Sequence, residues 1–178
     1  MLIKVLSKIV DMIMAIIYKI YNIDVHNKIE NIIDHLYSGW IKNALASNTN
    51  KILFRSHCFI MGGKNIYIGN NCVFGRFTNI SANIKHNEER FNPTIRIGNN
   101  CNFGESNRIS AIGSIVIGDN LLTGKRVTIS DNNHGAFNYS DLTKAPESRR
   151  LTSKGKLVIG RNVWIGENEF FYRNSNAF

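Results

Sequence analysis

The chain has 178 residues, of which 43% are hydrophobic and 20% charged, so it is globular rather than disordered. Its net charge of +9 and pI near 9.6 favour an anionic partner, either a membrane surface or a phosphorylated small molecule. Nucleic acid is not expected, because no aromatic platform or groove-reading helix accompanies the charge. The three cysteines form no CxxC pair, which indicates reduced, buried thiols in a cytoplasmic protein.

Residues 1–50 are predicted to form an N-terminal helical segment. Within residues 1–22, the polar side chains gather into one narrow stripe of a helical wheel, and apolar side chains cover the rest. This pattern favours packing against the rest of the protein or a sister subunit. The alternative is peripheral membrane contact through residues 1–22, with basic side chains near the headgroups. No stretch reaches the roughly 18 apolar residues that span a bilayer, and no signal-peptide cleavage site is present.

A second helix is predicted from about Val25 to Ala46. Its apolar residues recur at helical spacing and define one face. These residues are Ile29, Ile32, Ile33, Leu36, Trp40 and Ile41.

From Lys51 onward an apolar residue recurs at every sixth position, usually followed by glycine. Three such units make a repeat of eighteen residues. The repeats begin at Ile68, Ile97, Ile117 and Ile159, and successive starts are eighteen residues apart plus inserts of 11, 2 and 24 residues. This period predicts a three-sided coil of short parallel strands in which each recurring apolar residue points inward and stacks on its equivalent.

Two further positions of the six-residue unit have predicted roles. The fifth place is expected to face inward in a cramped space, which suits small side chains. It is occupied by Cys72, Thr78, Cys101, Val127 and Val163. Glycine or asparagine after the aliphatic residue is expected at the corners, where φ can be positive.

These repeats resemble the hexapeptide-repeat acyltransferases, over about residues 59–168. The resemblance implies a mainly β fold, a left-handed parallel β-helix, after the N-terminal α-helical segment. Right-handed crossovers are the rule for parallel strands, so the left hand comes from the family alone. The acyltransferase domain is then expected at residues 51–168, with a loop at 135–156 and a tail without repeat at 169–178.

The run Ser130-Asp131-Asn132-Asn133-His134-Gly135, the loop after it and the restart through Trp164 are similar to the galactoside, maltose and polysaccharide O-acetyltransferase branch. The resemblance implies that His134 is the general base and that Trp164 borders the acceptor and the thioester. The chemistry agrees, since an imidazole titrates near neutral pH and can take a proton from a sugar hydroxyl. A solvated loop histidine is the alternative.

Other candidates are weaker. Asn107 falls where the galactoside-type enzymes have an asparagine near the active site. Lys125 and Arg126, and the basic residues of the loop, are candidates to attract the phosphates of coenzyme A or of a sugar–phosphate, or else form a solvated face. His86 lies in the first insert, where a solvated loop and an edge role in acceptor binding are both open.

The chain also departs from the family pattern. It has Ala111-Ile112-Gly113-Ser114 where the galactoside-type enzymes have an acidic pair, which argues against a simple galactoside or maltose acceptor. Such proteins continue with two or more further turns after the position of Asn168, whereas residues 169–178 show no repeat. We therefore hypothesise a truncated or frame-shifted product or a fragment, with weakened coenzyme A binding.

The sequence thus predicts a cytoplasmic protein, and the resemblance implies a homotrimer with active sites between subunits. It would transfer an acetyl group from acetyl-CoA, without a metal, to a hydroxyl of a surface polysaccharide or its precursor. The rivals are a serine O-acetyltransferase-like enzyme, a β-helix carbonic anhydrase that holds zinc with three histidines, and a truncated non-catalytic scaffold.

Overall fold

The computed structural model describes residues 2–46, 51–135 and 138–172. Within these ranges the protein is mainly β, with three parallel sheets that follow an N-terminal pair of helices. The α-helices are α1 (Leu2–Ile20), α2 (Ile23–Ile41) and α3 (Tyr139–Leu142), and 3₁₀ helices lie at Lys42–Ala44, Gly63–Asn65 and Pro146–Ser148. The strands are β1 (Ile52–Phe54), β2 (Phe59–Met61), β3 (Ile66–Ile68), β4 (Cys72–Phe74), β5 (Asn79–Ala82), β6 (Lys85–His86), β7 (Glu89–Arg90), β8 (Thr94–Ile97), β9 (Asn102–Phe103), β10 (Arg108–Ala111), β11 (Ser114–Ile117), β12 (Leu122–Thr123), β13 (Thr128–Ser130), β14 (Asn132–His134), β15 (Leu151–Ser153), β16 (Leu157–Ile159), β17 (Trp164–Ile165) and β18 (Phe170–Tyr172).

The chain passes through the three parallel sheets in a fixed cyclic order. Sheet A contains β1, β4, β9, β12 and β17; sheet B contains β2, β5, β10, β13 and β18; sheet C contains β3, β8, β11 and β16. The described chain runs through A and B once and then repeats the order C, A, B, and each passage is called a turn below. This topology is compatible with a parallel β-helix.

The strand register confirms the eighteen-residue repeat. Ile68 pairs with Ile97, Ile97 with Ile117, and Ile117 with Ile159. The 11- and 24-residue inserts therefore leave the coil and return to it without shifting the frame. The pairing partners are the residues that the six-residue period predicts.

The core is a column of inward side chains. Phe54, Phe74 and Phe103 are fully buried, and their rings stack at centroid distances of 4.6 and 4.7 Å. The side chains predicted at the fifth place are also buried. The thiols of Cys72 and Cys101 are among them and form no disulfide, as the sequence predicts.

One row of corners carries an asparagine ladder. Asn71, Asn100, Asn120 and Asn162 have φ between 56 and 60°, and each side-chain amide donates to the next side-chain carbonyl at 2.7–3.2 Å. The expected positive φ thus falls on the third residue after the aliphatic rather than on the glycine next to it. That glycine serves close approach instead, since a Cβ on Gly118 would lie 2.7 Å from a carbonyl oxygen of the next turn.

Helix α2 covers the exposed edge of strand β1 with its polar face. The Ser38 hydroxyl donates to the Ile52 carbonyl at 2.9 Å and accepts from the Phe54 N–H at 3.0 Å. The Tyr37 hydroxyl donates to the Cys58 carbonyl. Because an uncovered edge strand has unpaired backbone groups, Ser38 caps the first strand of the coil, and Tyr37 binds the segment between β1 and β2.

The buried carboxylate of Asp34 extends this cap. It accepts from the Ser56 N–H at 2.8 Å, from Arg55 at 3.1 Å and from Arg76 at 3.2 Å. Burial acts to raise the pKa of Asp34, but the hydrogen bonds from Ser56 and Arg55 and the charge of Arg76 outweigh burial, and the pKa is lowered. Asp34 is therefore ionised and ties α2 to the first two turns.

The apolar face predicted for the second helix is confirmed in its spacing but does not face the coil. Of its six residues only Ile41 is buried, and the other five are exposed. Residues 3–20 of α1 are exposed as well, so the described α1 does not pack against its own chain. No helix in the described ranges is both long and apolar enough to cross a membrane.

The expected tail begins with a strand. Phe170–Tyr172 pairs in parallel with β13, and Phe171 occupies the register of Ile129 and packs against the core. The coil thus continues one strand beyond the predicted repeat region. Residues 173–178, the rest of the tail, lie outside the described ranges.

The Asp34 network leads to a stability prediction. Asp34→Asn is expected to lower the free energy of unfolding at pH 7 by about 1.5–3 kcal/mol, because it removes a buried charged acceptor. The folded-state pKa of Asp34 is lowered. Its stabilisation is therefore fully present above the unfolded-state pKa of about 4 and is lost as the pH falls through the folded-state pKa. Urea unfolding of both proteins from pH 7 down to about pH 2.5 measures the difference.

The matched control is Glu30→Gln. Glu30 contacts the same Arg76 at 2.8 Å but is about one-third exposed, so this variant is expected to lose less than about 1 kcal/mol. A difference between wild type and Asp34→Asn that stayed constant down to about pH 2.5 would contradict the assigned role.

Candidate functional site

Both long inserts leave the coil at the same corner. The first follows β5 and the second follows β13, so each departs from the end of sheet B before sheet C begins. Strand β10 lies between β5 and β13 in sheet B, and its turn crosses the corner with only Ile112 and Gly113. The two inserts therefore emerge on either side of one short corner.

Each insert forms a small antiparallel ladder. In the first, β6 pairs with β7 and brings His86 opposite Glu89. In the second, β14 pairs with β15 and brings His134 opposite Leu151. His134 thus lies on a short strand rather than in an irregular loop, although its side chain is exposed.

The two inserts contact each other at His134. The rings of His86 and His134 meet edge to face, with centroids 5.3 Å apart and planes at 80°. His86 Nε2 lies 3.3 Å from the Arg149 carbonyl, and because a carbonyl can only accept, Nε2 carries the proton of that hydrogen bond. Arg150 Nε contacts Glu89 Oε1 at 2.6 Å. The first insert therefore supports the segment that carries His134.

Asp131 fixes the place where the second insert departs. Its carboxylate is buried and accepts from the N–H groups of Ile112 and Gly113, both at 2.9 Å. Next to it, Asn132 Nδ2 donates to the Ser110 carbonyl at 3.1 Å. These bonds join the start of the His134 strand to the preceding turn.

A groove of about 310 Å³ lies beside His134. Its floor comes from the outward residues of three neighbouring strands of sheet B, and its end comes from β14. Seven of its eight lining residues have polar side chains, and the eighth is Phe170. The lining residues are Arg108, Ser110, Thr128, Ser130, Asn132, Asn133, His134 and Phe170.

The structure does not place Trp164 at this groove within one chain. Trp164 belongs to sheet A, where it pairs with Leu122, and its side chain is 75% exposed. His134 and the groove belong to the end of sheet B. The predicted pair of His134 and Trp164 is therefore divided between two sides of the coil.

Asn107 is buried inside the coil rather than in the groove. Its Nδ2 donates to Thr123 Oγ1 at 2.5 Å, and its Oδ1 accepts from the Val127 N–H at 2.7 Å. Both hydrogen bonds join adjacent turns. Asn107 therefore holds adjacent turns together, and it is not among the residues that line the groove.

Lys125 and Arg126 lie at the corner between sheets A and B and form ion pairs. Lys125 Nζ contacts Glu105 at 3.0 Å, and this hydrogen bond and its charge lower the pKa of Glu105. Arg126 has a φ of 56°, donates to Asn168 Oδ1 at 2.7 Å and lies 3.8 Å from Glu167. Both cations remain exposed, but acidic neighbours partly offset their charge.

Sequence reasoning missed Arg108 and Phe170 in the groove. The signal for Arg108 was available, because the residue before an inward Ile109 must point outward on a strand. Phe170 gave no such signal, since its segment carries no recognisable repeat. His86 was noted only as an edge residue, and its contact with His134 comes from the alignment of the two inserts.

Among the described residues no group of three or more His, Cys, Asp or Glu side chains could hold a metal ion.

Comparison with known proteins gives one informative similarity. The chain is 39% identical over 62 residues to WbbJ of Escherichia coli K12, a protein assigned to lipopolysaccharide biosynthesis as an O-acetyl transferase. The match covers 33% of this chain and 32% of WbbJ, so the chain matches about a third of that relative's length. No family model matches, and no solved structure matches. The similarity supports a relationship to O-acetyltransferases over the matched segment.

The anchor at Asp131 leads to a prediction. Asp131→Asn is expected to reduce the free energy of unfolding by about 1.5–3 kcal/mol, because an amide nitrogen cannot accept from a backbone N–H. Amide hydrogen exchange at Ile112 and Gly113, followed by NMR, is expected to accelerate in the variant.

Asp119→Asn serves as the matched control. Asp119 also accepts from a backbone N–H, that of Asn99 at 2.6 Å, but on an exposed corner of the coil. It is expected to lose less stability and to leave exchange at Ile112 unchanged. Unaltered exchange at Ile112 and Gly113 in Asp131→Asn would show that the carboxylate does not anchor this corner.

Proposed function

We propose that the protein is an acetyl-CoA-dependent O-acetyltransferase that acts on a hydroxyl of a surface polysaccharide or its precursor, with His134 as general base. The observation that carries the proposal is an exposed imidazole at the end of a polar groove, on a strand supported by Asp131 and by the first insert. The partial similarity to an O-acetyl transferase of lipopolysaccharide biosynthesis supports the acetyl group and the glycan acceptor.

The proposed reaction is a direct transfer. His134 takes the proton of the acceptor hydroxyl while that oxygen attacks the thioester carbonyl of acetyl-CoA. Collapse of the tetrahedral intermediate breaks the carbon–sulfur bond, and the imidazolium returns its proton to the departing thiolate. The products are an acetyl ester and coenzyme A, and the histidine is regenerated. Proximity of the two bound substrates supplies much of the rate.

The surroundings of His134 suit this role. Its side chain is exposed, so a substrate hydroxyl can reach the ring. The groove offers the hydroxyls of Ser110, Thr128 and Ser130, which can bind the other hydroxyls of a sugar. Phe170, which is 57% exposed, offers an apolar surface for a sugar ring.

The proposal includes a left-handed coil and a homotrimer. An active site between subunits would allow Trp164 of one chain to meet His134 of another, although the two residues lie on different sheets of a single chain. Lys125 and Arg126 would then contribute from the neighbouring chain to binding the phosphates of coenzyme A. The exposed Lys144, Lys154 and Lys156 of the second insert are further candidates for those phosphates.

The test combines donor binding with transfer. His134→Ala is expected to bind acetyl-CoA as wild type does in calorimetry, while its rate of transfer falls about 10²–10⁴-fold, because only the proton acceptor is removed. Transfer is measured with radiolabelled acetyl-CoA and a panel of sugars, sugar nucleotides and polysaccharide fragments, with L-serine included as the amino-acid acceptor.

The control is His35→Ala, which removes an exposed histidine of α2 far along the chain from the groove. It should leave both binding and transfer unchanged. Donor binding with transfer to serine alone would favour the serine O-acetyltransferase alternative. A folded chain without donor binding would overturn the enzyme proposal in favour of a non-catalytic β protein.

His86 is proposed as a positioning residue for His134. His86→Ala is expected to lower kcat about 10–100-fold with little change in KM, because the edge contact and the bond to the Arg149 carbonyl are both lost. His86→Asn keeps a donor for that carbonyl and is expected to recover part of the loss. Equal changes in kcat and KM, or no change in either, would contradict the positioning role.

A further inference from the structure

Helix α1 presents a large apolar surface that its own chain leaves uncovered. Every described side chain of residues 3–20 is exposed, and twelve of them are large and apolar with exposures between 45 and 84%. These are Ile3, Val5, Leu6, Ile9, Val10, Met12, Ile13, Met14, Ile16, Ile17, Tyr18 and Ile20. An exposed apolar surface of this extent marks an interaction site.

The width of the apolar arc distinguishes between a partner helix and a lipid bilayer as the surface that covers α1. Lys4, Lys8, Asp11 and Lys19 cluster within about a quarter of the helical wheel, and apolar side chains fill about two thirds of it. A seam between two helices covers a narrower stripe, so a partner helix would leave much of this surface in water. A lipid bilayer can surround the whole arc while the lysine side chains extend to the headgroups.

The charges of the helix indicate the kind of bilayer. Three lysines and one aspartate share the polar stripe, and the whole chain has a net charge of +9. Anionic headgroups complement this charge. A polar stripe that runs along one side of an apolar helix is typical of helices that lie in the plane of a bilayer surface.

Helix α2 adds a second apolar stripe. Ile32, Leu36 and Trp40 lie on its outer face with exposures of 60, 70 and 70%, because its polar face is used against strand β1. Tryptophan is enriched at the level of lipid headgroups, where its ring is amphipathic. The stripe thus agrees with the same environment.

We propose that α1 binds the surface of an anionic lipid bilayer, with its apolar arc in the acyl region and Lys4, Lys8 and Lys19 at the headgroups. This inference does not depend on acetyl transfer. If both hold, the groove at His134 acts on substrates at a membrane surface.

The test is co-sedimentation of the full chain with lipid vesicles. Wild type is expected to bind vesicles of phosphatidylglycerol and phosphatidylcholine, and to bind vesicles of phosphatidylcholine alone more weakly. The double variant Leu6→Gln, Ile13→Gln removes two side chains from the middle of the apolar arc and is expected to bind at least about 30-fold more weakly. The double variant Lys4→Gln, Lys8→Gln is expected to lose about fivefold per lysine on anionic vesicles only.

The matched control is Ser7→Gln, Ala15→Gln, which introduces two glutamines without removing a large apolar side chain. Ala15 lies within the polar stripe, and Ser7 lies near the edge of the apolar arc. This control is expected to bind as wild type does. Equal loss in both glutamine pairs would contradict the apolar arc as the contact. Absence of vesicle binding by wild type, together with a change of sedimentation coefficient in Leu6→Gln, Ile13→Gln, would overturn the proposal in favour of packing against a second copy of the chain.

Discussion

The structure depends on the stacking of inward side chains at the same height in every turn. Ile68, Ile97, Ile117 and Ile159 form one such column, and the phenylalanine rings of Phe54, Phe74 and Phe103 form another. A shift of one residue in any turn would expose these side chains and break the column. Inserts are therefore tolerated only where they leave and return at a corner.

That constraint also creates the candidate site. Both long inserts leave from sheet B, so they emerge on either side of the short corner at Ile112 and Gly113. The buried carboxylate of Asp131 satisfies the N–H groups of this corner and positions the strand that leads to His134. The same carboxylate thus stabilises the coil and fixes the start of the segment that carries His134, while strands β10, β13 and β18 supply the floor of the groove.

The role of helix α2 follows from a different constraint, the unpaired backbone groups at the start of the coil. The first turn of a parallel coil has unpaired backbone groups. Helix α2 binds such groups with Ser38 at strand β1, and with Tyr37 and the ionised Asp34 in the segment that follows β1. Using its polar face in this way leaves its apolar stripe in solvent, and the side chains of α1 are exposed as well. The end of the coil is thereby capped by polar contacts, and the apolar surfaces remain available to a partner outside the chain.

The six-residue period alone was enough to predict the parallel strands, their register, the buried cysteines and the places of the inserts. It could do so because a six-residue spacing decides locally which side chains face inward. Three features could be seen only in the folded chain: His86 meets His134, Asn107 is buried between turns, and Trp164 lies on another sheet from His134. These outcomes depend on residues far apart in the chain, as does the choice of the polar face of α2 for the core side. Hydrophobic periodicity identifies an apolar face but not the surface that will cover it.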